Sequence, residues 1–342
     1  MVWSIKFRHL SLILPMRPRL TTAANYLVYL FVRVFVCVLQ AVTIETCDRL
    51  SRGLAWLVTE VIPLRHDIID NNLRHAFPDM TPNERRHMTR RMWEHLFLML
   101  AEIAHFPRKV HDTNWRDYIR FKNEGQMMRE LFRGRPRVFA SGHYGNFELA
   151  GYTLGLFGFP TFTVARPLDN PYLDRWINYF RALKGQYVLP KQGSAQEAAA
   201  LLEGRGTLGV LADQHAGNKG CWVNFFGRPA STHKAIAVFA LTNEAPLMVG
   251  YARRLGRPLQ YEMGMETLID PATMAPNLKN VSSLTQWYTD ILEQVVLVAP
   301  EQYWWLHRRW RDDRGPKKRA AQNRAAKRGG NQNPAAPGNE AA

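Results

Sequence analysis

The 342-residue chain carries 45 Lys and Arg against 29 Asp and Glu, a formal net charge of +16, and 46% of it is hydrophobic. It is long enough for one large domain or two small ones, and the basic excess points to acidic partners: nucleic acid, anionic lipid head groups or an acidic protein. Three cysteines (Cys37, Cys47, Cys221) without a CxxC pair exclude a disulfide framework and a thiolate zinc site, which suits a reducing compartment.

In chain order, a basic flank (residues 1–20, with Lys6, Arg8, Arg17 and Arg19) precedes a mostly apolar stretch (residues 21–45). Its length approaches the roughly 20 residues of a spanning helix, but Arg33 near its middle is costly in hydrocarbon. A signal anchor, an interfacial helix and a buried first helix all fit. Either of the first two sets basic charge and apolar surface against a membrane. Residues 65–104 have helical periodicity. Thr81-Pro82-Asn83-Glu84 supplies an N-cap, a proline at the first helical position and a capping-box glutamate; Met88, Met92, Leu96, Leu100 and Ile103 follow at intervals of three or four.

The stretch VFASGHYGNFELAG (residues 138–151) reads as a strand, a glycine-rich turn holding His143, and a helix starting near Phe147 that carries Glu148. On one helix the two side chains would point about 140° apart, so His143 belongs in the turn. Gly142 and Gly145 permit tight backbone angles, Asn146 is an N-cap, and Glu148 lies in the first turn, where the helix dipole favours a carboxylate. A neutral imidazole whose Nδ1 proton is held by a carboxylate leaves Nε2 free as a general base. There is no Gly-x-Ser-x-Gly elbow, so the simplest chemistry is direct: His143 deprotonates a substrate hydroxyl that attacks an activated acyl group. The pair by itself more often marks a contact that stabilises a turn.

Beyond the corner, short apolar runs alternate with helical segments. Strands are expected at 161–165, 187–189 and 208–212, helices at 172–183, 195–202 and 233–242 (Thr232 as N-cap), paired strands at 247–253 and 259–265, and a closing amphipathic helix over 284–296. This predicts an α/β fold: one catalytic domain (residues 46–311) with a mixed central sheet flanked by helices, an N-terminal membrane-associated helix and a basic tail (residues 312–342) unable to build a core. His215 and His233 lack partners at metal-ligand spacing, so no metal site is expected.

Several clusters sit where strands end: Arg166-Pro167-Leu168-Asp169-Asn170-Pro171, Asp213-Gln214, Val223-Asn224-Phe225-Phe226-Gly227-Arg228, and residues 300–310, PEQYWWLHRRW. Together and in this order, over about residues 27–311, they resemble the late acyltransferases of lipid A biosynthesis, the lauroyl and myristoyl transferase family within the wider glycerolipid and lysophospholipid acyltransferase group. Tyr303 stands where many members have Trp, and the basic tail lies outside the pattern.

The resemblance implies a membrane-associated O-acyltransferase. It would move a fatty acyl chain from a thioester, on acyl carrier protein or coenzyme A, to a hydroxyl of an anionic glycolipid, a lipid A precursor. The thioester is a co-substrate and no cofactor is implied. Another acceptor, such as a lysophospholipid, would use the same corner. A non-enzymatic basic binding protein is the remaining alternative, although no specific nucleic-acid motif is present. Because thioester carriers are cytosolic, the catalytic domain is expected on the cytoplasmic side of the inner membrane. His143 would be the base and Glu148 its orienting partner, with backbone amides of Gly142, Tyr144 and Gly145 as oxyanion donors. Arg166 suits an acceptor phosphate. Asn170, Arg181 and Gln214 would contribute to the same substrate region, although a helix cap explains Asn170 and a solvated helix charge explains Arg181 almost as well. Asp213 would orient the site or pair with Arg166, and starting a turn fits it too. Arg33, Trp304, Trp305 and Arg308 would lie at the membrane interface.

Overall fold

The computed structural model describes residues 19–190 and 194–311; most of the expected basic flank and the tail beyond Arg311 lie outside them. The chain opens with α1 (Arg19–Ala41), α2 (Ile44–Trp56) with a π-turn at Leu57–Val61, α3 (His66–Ala76) and α4 (Pro82–Lys109). Then follow β1 (Ile119–Lys122), α5 (Glu124–Phe132), β2 (Arg137–Ser141), α6 (Phe147–Leu156), β3 (Thr161–Ala165) and α7 (Pro171–Ala182). Next come β4 (Gln186–Pro190), α8 (Ser194–Glu203), β5 (Thr207–Leu211), β6 (Cys221–Phe225) and β7 (Arg228–Thr232). The last elements are α9 (Ala235–Thr242), β8 (Leu247–Arg254), β9 (Tyr261–Ile269) and α10 (Val281–Val298).

The capping box forms as its residue types dictate. The Glu84 N–H donates to Thr81 Oγ1 at 3.3 Å and the Thr81 N–H to Glu84 Oε2 at 2.7 Å, which satisfies two otherwise orphaned donors at the start of α4. That box also splits the helical stretch 65–104 into two helices, α3 and α4. Residues 119–132 add a strand and a helix absent from the expected elements. Val223–Arg228, a cluster assigned no strand in the sequence, lies in a hairpin of β6 and β7. Thr232 ends β7 and does not cap α9; its hydroxyl accepts from the buried Arg309 guanidinium.

Seven strands form the central sheet in the order β1-β9-β8-β2-β5-β3-β4, parallel throughout except for the antiparallel pair β8 and β9. The mixed α/β fold is thus as the alternation implied. Strand residues alternate between the faces: Val138, Ala140, Leu247 and Val249 pack with α8, α9 and α10, whereas Phe139 and Met248 pack with α5 and α6. A further core joins α2, α3 and α4 to Tyr303, Trp305 and Trp310 of the C-terminal segment.

Candidate active site

Two features of the sheet create the site. β2 and β5 are parallel neighbours in register, Ser141 opposite Leu211, and the Ala212 N–H extends the ladder to the Ser141 carbonyl at 2.7 Å. His143 and Asp213 each lie two residues past those paired ends, so residues 70 positions apart leave the sheet edge side by side. The His143 Nδ1–H donates to Asp213 Oδ1 at 2.8 Å, and its backbone N–H donates to Oδ2 at 2.7 Å. The carboxylate side chain is 4% exposed and the imidazole 13%. A Cβ on Gly142 would stand 3.2 Å from Asp213 Oδ2, so glycine keeps room for this approach. Burial pushes the Asp213 carboxyl upward, but the imidazole charge and the two His143 hydrogen bonds outweigh it and hold the group below the usual carboxylate range. Tyr303, enclosed in the core, lies beside the same carboxylate; burial, with the neighbouring Asp213, pushes its phenol well above the ordinary value.

The imidazole is wedged edge-on against Phe147 (5.0 Å) and Trp304 (5.1 Å), whose rings stack on each other. Its Nε2 accepts from the Gln214 side-chain amide at 3.2 Å. It faces a cleft of about 240 Å³ lined by Arg65, His143, Asp213, Gln214, Trp304, Leu306 and His307. That volume is below the roughly 300–1,000 Å³ of typical ligand pockets, so it accommodates reacting groups, not a whole lipid.

The turn is locked from behind. Its carbonyls accept from Trp304 N–H (His143 O, 3.0 Å) and His95 Nε2–H (Gly145 O, 3.1 Å), and its Gly145 and Asn146 N–H groups donate to the Gln302 and Ala252 carbonyls. Because the Arg254 guanidinium can only donate to His95 Nδ1 (2.8 Å), the His95 proton resides on Nε2. Burial, with the Arg254 charge beside it, keeps His95 neutral. Arg254 is in turn paired with the fully buried Glu102.

Several sequence expectations are corrected by this geometry. Glu148 does not hold His143: it is clamped in two places by Arg181 of α7 (Nε to Oε2 at 3.0 Å), because Phe147, the first residue of α6, takes the side facing the imidazole. Arg181 is therefore neither solvated nor turned to the cleft. Asp213 has His143 as partner and not Arg166, which is 75% exposed and bonded to Asp169. Asn170 caps α7, its Oδ1 accepting from the Tyr172 and Leu173 N–H groups, while its amide donates to the Asn25 carbonyl of α1. The Gly145 N–H is consumed by Gln302, leaving Gly142 and Tyr144 of the three expected oxyanion donors. Trp305 is 1% exposed in the core, so it is not at a lipid interface, whereas the half-buried Trp304 lines the cleft against the imidazole and Arg308 is exposed. Arg33 lies over the Trp176 ring at 5.2 Å.

Arg65 and His307 were not anticipated at the cleft. His307 sits in the quoted aromatic segment, but only the fold turns it towards Asp213. Its Nε2 accepts from the His215 N–H at 2.9 Å, and burial lowers its pKa to about 4. Arg65 has no local signal, since its place depends on a left-handed backbone (φ 54°) before α3 and on its bond to the Leu306 carbonyl. Among the described residues no group of three or more His, Cys, Asp or Glu side chains is gathered as a metal site would require.

A histidine held by a carboxylate at the end of parallel strands, with its second nitrogen facing a cleft, is built to take a proton from a substrate. The chain belongs to the bacterial lipid A biosynthesis acyltransferase family, which it matches over residues 15–312, and it is an acyltransferase. It is 25% identical over 267 residues to the lipid A biosynthesis lauroyltransferase of Escherichia coli (strain K12), covering 77% of this chain and 84% of that protein. With the lipid A biosynthesis palmitoleoyltransferase of the same strain it shares 24% identity over 252 residues, 72% of this chain and 79% of the relative. The 1-acyl-sn-glycerophosphate acyltransferase structure from Thermotoga maritima aligns with 11% identity and a TM-score of 0.37, over 77% of this chain and all of that one.

Proposed function

We propose that this protein is a membrane-associated O-acyltransferase that esterifies a hydroxyl of a lipid A precursor with a fatty acyl chain carried as a thioester on acyl carrier protein or coenzyme A. The observation that carries the mechanism is the 2.8 Å bond from His143 Nδ1 to Asp213, with Nε2 turned to the cleft. Nε2 takes the hydroxyl proton while the alkoxide oxygen attacks the thioester carbonyl. Asp213 holds the ring in the required tautomer and stabilises the imidazolium. The tetrahedral oxyanion is met by backbone amides at Gly142 and Tyr144. On collapse the C–S bond breaks and the imidazolium returns its proton to the departing thiolate, giving ester and free thiol with no covalent enzyme intermediate. Gln214, which donates to Nε2, yields that nitrogen to the acceptor hydroxyl when the substrate enters. Arg65 at the cleft wall supplies a guanidinium for a phosphate of the acceptor. The Glu148–Arg181 pair ties α6 to α7 and so positions the catalytic turn.

Two measurements test this reading. Purified His143→Ala protein should lose transfer of a labelled acyl chain from acyl carrier protein to a lipid A precursor, with its circular dichroism unchanged. Lipid mass spectrometry of cells lacking the protein should show lipid A short of one secondary acyl chain. Retained transfer by the variant removes His143 from the chemistry, and a missing phospholipid in place of the lipid A change moves the acceptor to the glycerolipid class.

A further inference from the structure

Helix α1 meets the length and hydropathy of a bilayer crossing over Thr21–Ala41, and its composition alone leaves its orientation open. Its contacts decide. Asn25, Tyr29, Val32, Val36, Leu39 and Gln40, at helical spacing, form a half-covered stripe along one side. That side is held by the catalytic domain at both ends and in the middle. The Asn25 carbonyl accepts from Asn170 at 2.7 Å, and Tyr26 packs edge-on against Tyr172 at 5.2 Å. Arg33 donates to Tyr29 Oη at 2.9 Å and stacks on Trp176, so its guanidinium is turned to α7. Farther on, the Leu39 carbonyl accepts from His105 and the Gln40 amide donates to the Ala104 carbonyl, both at 2.8 Å. Contact therefore runs for about 22 Å of helix.

The opposite stripe is apolar and bare: Leu27 (65% exposed), Phe31 (72%), Val34 (61%) and Val38 (53%). It has no charged residue. The covered side, in contrast, neighbours water-seeking groups: Arg166 and Asp169 (75% and 91% exposed) before α7, Arg175 on α7, and Arg108 and Lys109 at the end of α4. Standing α1 upright in a bilayer would draw these charges into hydrocarbon along with it. Laying α1 flat buries only the bare stripe and leaves them in the head-group layer. The Tyr172–Trp176 face of α7 continues at helical spacing into Tyr179 (64% exposed) and Leu183 (59%), so apolar surface extends past the edge of α1. Arg181, in the same helix, is the residue that grips Glu148 beside the catalytic turn.

We infer that α1 does not cross the membrane but lies along its surface, one face against the catalytic domain and the Leu27-Phe31-Val34-Val38 face in lipid, holding the cleft at head-group level. This rests on the membrane association proposed above and specifies its geometry. Because the acceptor is itself a membrane lipid, a flat mount lets its sugar reach His143 while its chains stay in the leaflet.

Single cysteines test this in the full chain with Cys37→Ser, Cys47→Ala and Cys221→Ser. Leu27→Cys, Phe31→Cys, Val34→Cys and Val38→Cys proteins carry a bimane label and are bound to vesicles of phosphatidylcholine and phosphatidylglycerol containing lipids brominated at known depths. A flat helix gives four equal, shallow depths, and a label at Val36→Cys is unquenched. A depth that advances steadily through the bilayer over the roughly 16 Å between Leu27 and Val38 overturns the inference. So does absence of quenching in protein that pellets with the vesicles, since the bare face then meets protein. Failure to pellet at all removes the membrane reading itself, a result that vesicle sedimentation reports separately.

Discussion

At the scale of single residues, the imidazole has one carboxylate partner, and it is Asp213. Asp213→Asn keeps the shape but replaces an ionised acceptor with an amide able to donate to Nδ1, which favours the wrong tautomer. The expected outcome is a fall in kcat of about 10²–10⁴-fold. Glu148→Gln leaves the His143 bonds intact and weakens only the Arg181 clamp, so acyl-transfer assays should show a much smaller loss. Equal losses in the two variants would argue against Asp213 as the orienting group. His307 gives a pH signature. Its folded pKa of about 4 lies below the ordinary histidine value, so between roughly pH 6.5 and pH 4 the unfolded chain binds a proton that the folded one refuses. Stability should therefore decline as pH falls through that window. His307→Gln should flatten part of the decline in thermal melts, the remainder belonging to neutral buried residues such as His95. The histidine was legible in the sequence because glycines frame it. Its carboxylate was not, since Glu148 is near in the chain whereas Asp213 is near only across two strands.

At the scale of elements, the His143 turn between β2 and α6 is held by neighbours that share no local sequence with it. Gly145 has φ +58°, and a Cβ there would stand 1.9 Å from the Ala252 carbonyl oxygen of β8. Gly145→Ala should cost about 1–3 kcal/mol from backbone strain alone, with the clash in addition, and should reduce activity more than its loss of melting temperature explains. Three helix starts were readable because capping is short-range chemistry: Thr81 with Glu84, Asn146 at α6 and Asn170 at α7 behave as their residue types require, whereas Thr232 is drawn into β7. The β6–β7 hairpin was missed because its aromatic residues answer to Trp305 and Trp310, far along the chain, and show no plain alternation.

For the whole molecule, the membrane association proposed above has two sources, basic charge and one bare apolar helix face. Binding to anionic vesicles should weaken between roughly 50 and 500 mM salt as head-group attraction is screened, yet persist in part because burial of the α1 face is insensitive to screening. Sedimentation at both salts measures this; complete release at high salt would mean that charge alone holds the protein. The stacking of Arg33 on Trp176 shows why an arginine inside an apolar run is a poor guide by itself: what matters is whether the fold provides a partner.

Residue order alone determined the alternation of strands and helices, the glycine-framed histidine, the caps and the apolar first helix, because these depend on neighbours within a few positions. The tertiary structure decided which carboxylate meets the imidazole, which amides of the turn are taken by neighbouring carbonyls, and which face of α1 is left bare. Those depend on the β2–β5 register and on helix packing, where a shift of one residue would send Asp213 to the other side of the sheet.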